Sequence, residues 1–398
     1  MLKSIENYCL ASSTWDEKEI NAIKNVIQSN MYTMGNYVNQ FENEFAKFTN
    51  SKYCVMVNSG SSANLLMVAA LFYTKDNPLQ AGDEVIVPAV SWPTTYYPLS
   101  QYGLKLKFVD VDLQTLNYDL SQLKTAISEK TKLIMAVNLL GNPNDFNIIK
   151  ELIKDKNIRL IEDNCESMGA TLNNKQSGTF GIMGSFSSFY SHHIATMEGG
   201  LIITDDEELY HILLCLRAHG WTRNLPKFNQ VCGEKSDNKF IESFRFVLPG
   251  YNVRPIEMSG AIGIEQLKKL PEFINTRRKN AKHFIELFKN NNHYIIQKEI
   301  GNSSWFGFSI IINPHSNFKR LDIINTLEKN NIETRPIVAG NFAKNEVMKY
   351  FNYSIHNNLI NAEIIDTNGF FVGNHQIDIR MHIDMLYKLL SQITCGVR

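Results

Sequence analysis

An α/β fold, with a large sheet covered by helices and a smaller α/β unit after it, is what this chain predicts. Apolar strand-like runs recur at Tyr53–Val57, Glu84–Val87, Leu106–Val109, Leu133–Val137, Arg159–Ile161, Ser185–Phe189 and Leu201–Thr204. Helical patterns lie between them, as at Ser62–Phe72, Leu120–Ile127 and Phe146–Lys154. Alternation of this kind favours a sheet covered by helices. After a polar stretch at 223–243, GYNVRPIEMSGAIGIEQLKKL opens a long helical pattern. From residue 271 the text reads as helix, strand (Phe306–Ile312) and helix. The expected division is a large unit at 1–270, with an N-terminal arm, and a small one at 271–398.

Composition narrows the function classes. With 398 residues the chain can bury one large core and a smaller one. Its 40 basic and 40 acidic residues cancel, leaving no net field to favour nucleic acid or an anionic membrane. An anionic ligand must therefore be held by local groups. No run approaches the roughly 18 uninterrupted apolar residues of a spanning helix. The opening text, MLKSIENYCLASSTWDEKE, lacks the apolar core of a secretory signal. Cys9, Cys54, Cys165, Cys215, Cys232 and Cys395 form no CxxC pair. A reduced, cytoplasmic setting is expected, with the cysteines mostly buried as small hydrophobes.

Three stretches carry chemistry. In NSGSSANLLMVAAL at 58–71, small residues end a strand and open a helix, which points N–H groups and a positive helix end at a phosphate. A simple Ser-Gly helix cap explains the same text. In IRLIEDNCES at 158–167, Asp163 ends an apolar strand, where a buried acid needs a partner. A protonated pyridine nitrogen is one partner; a helix cap or an arginine is another. In GSFSSFYSHHIATMEGG at 184–200, hydroxyl residues end a strand and two histidines follow. Adjacent residues on one segment point apart and no third ligand is at hand, so no metal pattern arises. Each histidine alone reads equally as a surface or core residue.

Together, in this order and spacing, the three stretches resemble the DegT/DnrJ/EryC1/StrS family of sugar aminotransferases. The resemblance extends through SWPTTYYP at 91–98, RAHGWTRN at 217–224, GYNVRP at 250–255 and GNH at 373–375. It implies the type I fold of pyridoxal-phosphate enzymes, like aspartate aminotransferase, with a large mixed-sheet domain and a smaller C-terminal α/β domain. One position departs from the pattern. The family's cofactor-binding lysine falls eight residues before the last Gly of Glu-Gly-Gly, and here that position is His192. No lysine lies between Lys175 and Lys227, so no slipped alignment supplies one. Histidine cannot hold the cofactor covalently, but imidazole moves protons near neutral pH.

A branch of the family with histidine at this position, to which SHHIATMEGG is similar, dehydrates GDP-linked 4-keto-6-deoxy sugars at carbon 3. The resemblance implies pyridoxamine 5'-phosphate as working cofactor, regenerated from pyridoxal 5'-phosphate by glutamate. By the same resemblance Gly60, Ser61 and Ser187 bind the phosphate, Trp92 stacks on the ring, Asp163 pairs with the ring nitrogen and Glu166 lies near the ring hydroxyl. His192 is the implied base. Asn252 corresponds to an asparagine that reaches the phosphate of a neighbouring subunit, which implies a homodimer. His219 corresponds to a histidine near the substrate, its plain alternative being a structural hydrogen bond. Arg335 suits a substrate phosphate or the glutamate carboxylate; a surface ion pair is the plain alternative.

Two other readings remain in view. A second histidine-bearing class acts on CDP-linked sugars and holds an iron–sulfur cluster, which needs four grouped thiolates that these scattered cysteines do not provide. A homologue without catalysis, acting as a binding protein, is the non-enzyme alternative. Neither the sugar, hexose or heptose, nor the final product's use follows from the residues.

Overall fold

The apolar runs join one eight-stranded sheet in the computed structural model, which describes residues 7–395. In chain order the main strands are β1 (Tyr53–Val57), β2 (Glu84–Pro88), β3 (Lys105–Val109), β4 (Thr131–Val137), β5 (Arg159–Asp163), β6 (Met183–Ser187) and β7 (Gly200–Thr204). Then follow β8 (Tyr294–Ile296), β9 (Gly307–Ile312), β10 (Tyr353–Ile355) and β11 (Gly369–Gly373). Across the large sheet the order is β1-β7-β6-β5-β4-β2-β3-β10. Neighbours from β6 to β10 run parallel, whereas β7 is antiparallel to both β1 and β6. Parallel strands covered on both faces must be apolar throughout, and β2 and β6 are buried along their whole length. Strands β8, β9 and β11 form a separate antiparallel sheet over a second core that includes Phe284, Phe308 and Leu386.

Two details differ from the sequence reading. The strand expected at 185–189 is Met183–Ser187, because Asp163 pairs with Ser185 and Ser187 pairs with Gly200. Past Ser187 the chain leaves the sheet, and Phe189 and Tyr190 are exposed rather than packed. The division expected at residue 270 falls inside one continuous helix, Glu257–Phe288. Its first half packs with Phe41 and Phe45 of the large unit, and its second half buries Phe284 and Phe288 in the small core. Strand β10 then returns from beyond 271 to the edge of the large sheet. The Gly-Asn-His run at 373–375 is structural: Tyr8 donates to Gly373 O at 2.8 Å, and the His375 ring lies 2.8 Å from Ser12 Oγ and 2.9 Å from Cys9 O. Among the described residues no helix is long and apolar enough to cross a membrane.

One buried ion pair ties the helix Asn36–Thr49 to β1. Arg217, 2% exposed, donates to Glu42 and to Met56 O, and Met56 N donates to the same Glu42 oxygen at 2.7 Å. Removing one partner strands the other charge in the core, a loss of about 3–5 kcal/mol. Arg217→Met should therefore lower the urea midpoint strongly, and the pair Arg217→Met with Glu42→Gln should lose less than the single variant. Equal loss in both would show that the pair's charge is not what is being stranded.

Candidate active site

The parallel strands all end on one side, where open α/β sheets form crevices. A cavity of about 500 Å³ lies there. Gly60, Ser61, Trp92, Asp163, Glu166, Ser187, His192 and Arg335 all line it. Residues more than 270 positions apart in sequence thus share one wall, because their strands and helices end together.

At one end the hydroxyls gather. Ser59 caps the helix Gly60–Ala70, accepting from Ser62 N at 3.1 Å, so Gly60 and Ser61 open the helix with free N–H groups. A Cβ on Gly60 would stand 2.7 Å from Ser187 Cβ and 2.9 Å from Cys165 Sγ. Only glycine lets the helix start approach the end of β6 so closely. A Cβ on Gly200 would meet Ser59 O at 2.1 Å, so β7 imposes the same limit from the other side. Ser61 Oγ also donates to Thr94 Oγ1 at 3.2 Å. Hydroxyls and helix N–H groups converge as an oxyanion requires.

The acids lie deeper. Asp163, the last residue of β5, is buried, and its Oδ2 accepts from Asn64 Nδ2 and Thr95 Oγ1, both at 2.8 Å. Cys165 N donates to Oδ1 at 3.1 Å. No arginine pairs with Asp163 among the described residues, and its backbone belongs to a strand, so the plain alternatives do not describe it. Glu166 Oε2 accepts from Leu140 N at 2.9 Å. Burial, with Asp163's charge adding, pushes its carboxyl up to about 7. Trp92 leads into the helix Pro93–Gln101 and leaves 57% of its surface open on the cavity.

The two histidines separate. His193 is fully buried, its Nε2 3.2 Å from Ser304 O, and serves the core. His192 lines the cavity, its ring 5.3 Å from that of Phe306 and 6.1 Å from that of Phe189. Its Nδ1 is buried without a hydrogen-bond partner among the described residues. Burial, helped by the positive charge of Arg277, lowers its pKa to about 4. The ring is thus a neutral free base at pH 7. Arg335 reaches the cavity from a backbone pairing with Phe371 (3.1 and 2.8 Å), and its guanidinium has no ion pair among the described residues. It is available to an anion.

His219 and Asn252 are not brought to this cavity. Residues Ala218 and Asn252 pair as an isolated bridge, His219 N donates to Tyr251 O at 2.6 Å, and Asn252 Oδ1 accepts from Arg254 Nε at 3.0 Å. They lie on two segments paired side by side, and the second is held near the Ser59 turn because Asn58 N donates to Val253 O at 3.0 Å. Sequence reasoning missed Asn64 and Thr95, although Asn64 is the one amide in the otherwise small and apolar text ANLLMVAA. It also missed Phe306, which nothing in its local text distinguishes.

Residues 13–373 match the DegT/DnrJ/EryC1/StrS aminotransferase family. The chain belongs to that family. It is 64% identical over 386 residues to GDP-4-keto-6-deoxy-D-mannose 3-dehydratase of Escherichia coli, covering 97% of this chain and 100% of that protein. It is 63% identical over 393 residues to the protein of the same name in Yersinia pseudotuberculosis, covering 98% and 100%. A solved GDP-4-keto-6-deoxymannose-3-dehydratase with a trapped PLP-glutamate geminal diamine superimposes with a TM-score of 0.96 at 64% identity, over 96% of this chain and all of that one. The fold is the mixed α/β fold of PLP-dependent aminotransferases.

Family membership sharpens the fit test. A flat phosphate-bearing pyridine ring needs an anion cradle, a π-face and a carboxylate with spare acceptor capacity. The Gly60–Ser187 cradle, Trp92 and Asp163 Oδ1, which accepts only one N–H, provide them. The residues present fit that group.

The lowered pKa of His192 makes a direct expectation. A histidine whose folded pKa falls below its ordinary value stays neutral until the pH drops through the lowered value. Its ring carbon proton should therefore show no titration by NMR between pH 8 and 5, and a midpoint at about 4. A midpoint at 6 or above would mean that the ring is solvated and paired.

Proposed function

We propose that this chain is a pyridoxamine 5'-phosphate/pyridoxal 5'-phosphate-dependent nucleotide-sugar 3-dehydratase. It removes the C3 hydroxyl of a GDP-linked 4-keto-6-deoxy sugar, mannose- or heptose-configured, to give a 4-keto-3,6-dideoxy sugar, and glutamate regenerates the amino form of the cofactor. The observation that carries this reading is a neutral histidine where the family holds lysine, on the same cavity as Asp163 and the Gly60–Ser187 cradle. The names of the two relatives and the PLP-glutamate adduct of the solved one support it.

The cofactor, when bound, supplies an electron sink that stabilises negative charge developing beside its ring. The chain's own groups do the rest. Gly60 and Ser61 offer N–H groups, and Ser187 its hydroxyl, to the phosphate. Trp92 would stack on the ring, Asp163 would hold a proton on the ring nitrogen, and Glu166 would take the ring hydroxyl. His192, neutral at pH 7, would accept a proton on its imidazole ring. A lysine there would be charged or covalently engaged, whereas an imidazole can take a proton and return it. Arg335 meets the substrate's phosphates or the glutamate carboxylate. A cytoplasmic setting suits Cys9, Cys54, Cys165, Cys215 and Cys232, all free thiols.

Turnover of a 4-keto-6-deoxy GDP-sugar should release ammonia and 2-oxoglutarate in step, and without glutamate should stop after one round per bound pyridoxamine. His192→Lys should tie pyridoxal phosphate covalently, fixed at position 192 by borohydride, and lose dehydration by 100-fold or more, roughly the contribution of a positioned base. Parent-level dehydration by that variant would remove His192 from the mechanism.

The site is completed, in this reading, by a second copy of the chain. The bridge between Ala218 and Asn252 pairs the two segments that carry His219 and Asn252, so whatever carries Asn252 to a neighbour's phosphate carries His219 beside it. The same region exposes Phe240 (89%), Phe244 (74%) and Phe228 (70%), apolar surface of the kind that marks an interface. Asn252→Ala and Ser187→Ala should each weaken cofactor binding. Mixed with verified subunit exchange, they should recover about a quarter of intact sites, since each mixed dimer has one site with both defects and one with neither. Absence of any recovery would confine the site to one subunit.

A further inference from the structure

Beneath the cavity five buried polar side chains form one directed chain, and none of the four around Asp163 has a place in the reaction described so far. Asn64, Ser91, Thr95 and Ser185 are each at most 1% exposed and come from separate elements: the helix Gly60–Ala70, the β2 exit, the helix Pro93–Gln101 and β6. Ser185 Oγ donates to Asn64 Oδ1 at 2.6 Å, and Asn64 Nδ2 donates to Asp163 Oδ2 at 2.8 Å. From the other side Thr95 Oγ1 donates to the same Oδ2 at 2.8 Å. Thr95 has one hydroxyl proton and spends it there, so Ser91, 2.8 Å from Thr95 Oγ1, must be the donor of that pair.

We infer that Asn64 and Thr95, oriented by Ser185 and Ser91, are positioning residues that saturate Asp163 Oδ2 and reserve Oδ1 for the ring nitrogen of the cofactor. The orientation is over-determined. A flipped Asn64 amide would set its oxygen against the carboxylate and turn its NH2 away, and the Ser185 hydroxyl donating to Oδ1 opposes that flip. Oδ1 meanwhile accepts one N–H, that of Cys165 at 3.1 Å, with the Cys165 thiol beside the same carboxylate, and Asp163 lines the cavity where a further donor would lie. Ser185, Asn64, Ser91 and Thr95 each donate a hydrogen bond directed toward one carboxylate, so their dipoles reinforce each other. The turn that presents Trp92 also sets Thr95, whose N–H donates to Trp92 O at 3.0 Å, so ring plane and carboxylate are fixed by one helix start.

This inference rests on the cofactor reading above, and the test separates the two. The protein is loaded with pyridoxal 5'-phosphate carrying 15N in the ring, and the ring-nitrogen chemical shift is followed with pH. The parent should stay protonated at pH 8, and Asp163→Asn should not; a parent already deprotonated overturns the Asp163 contact and this inference with it. Thr95→Val together with Asn64→Leu should lower the midpoint for loss of the ring proton by about one pH unit or more and weaken cofactor binding about tenfold. Thr95→Ser, which keeps the hydroxyl, should behave as the parent. The titratable neighbours Tyr96, Cys165 and Glu166 are unchanged in all of these. Ser185→Ala, which leaves Asn64 in place but frees its amide, should give a partial shift and serves if the double variant does not fold. An unchanged ring-nitrogen titration in these variants, beside a normal parent and a shifted Asp163→Asn, would reduce the chain to a structural network.

Discussion

Two acids at the end of one strand organise the site. Side chains alternate across a β-strand, so Glu162 and Asp163 must leave β5 on opposite faces. Glu162 turns away from the cavity and takes the N–H groups of Gly178 (2.7 Å), Phe180 (2.6 Å) and Gly181 (2.7 Å). Those three bonds shape the loop that leads into β6, and β6 then enters in the register that sets Ser185 opposite Asp163. Two residues later Ser187 lies at the strand's end, against Gly60. Asp163 faces the cavity as the consequence of where Glu162 is anchored. Loss of the Glu162 contacts would free the loop, the register of β6 and the hydroxyl end of the site together.

Much of this was written in the sequence, and the reason is local. Strand and helix periodicity, the small residues at 58–62 and the acid ending 158–163 are signals carried within a few residues, and the structure places them where those signals point. The missing lysine was equally legible, because it is a substitution at a countable distance from Gly200. What escaped were the features that arise only when distant segments meet. Phe189 looks like the end of a strand, but the ladder stops at Ser187, and this aromatic lines the cavity instead of the core. Nothing near Phe306 says that it will lie against His192, 114 positions earlier. The division at 270 lies inside one helix that carries apolar faces for two cores in succession, and periodicity alone does not show a change of partner.

Histidine succeeds lysine here through its surroundings as much as its chemistry. A solvated imidazole at pH 7 would be partly protonated and a poorer acceptor. Burial removes the charged form, and Arg277 adds to the effect from beneath. That arginine is itself unusual: it is 3% exposed, has no carboxylate partner among the described residues, and donates to the carbonyls of Phe306 at 3.1 Å and Asn374 at 2.7 Å. Its own pKa falls to about 10 through burial. A cation solvated only by peptide dipoles is costly to bury, and it spends those contacts on segments that flank the histidines.

The small unit is therefore part of the environment of His192. Phe306 and Phe371 close the cavity from that side, Arg335 is delivered by its pairing with Phe371, and Arg277 lies on the helix shared by both cores. A rigid shared helix keeps the Phe306 wall at a fixed distance from His192, whereas a flexible linker at residue 270 would let water reach the ring. Water at the ring would raise the pKa of His192 toward its ordinary value. The helix Glu257–Phe288 continues through Pro271, so Arg277 and the contacts that hold Phe306 beside His192 belong to one rigid piece that serves both cores.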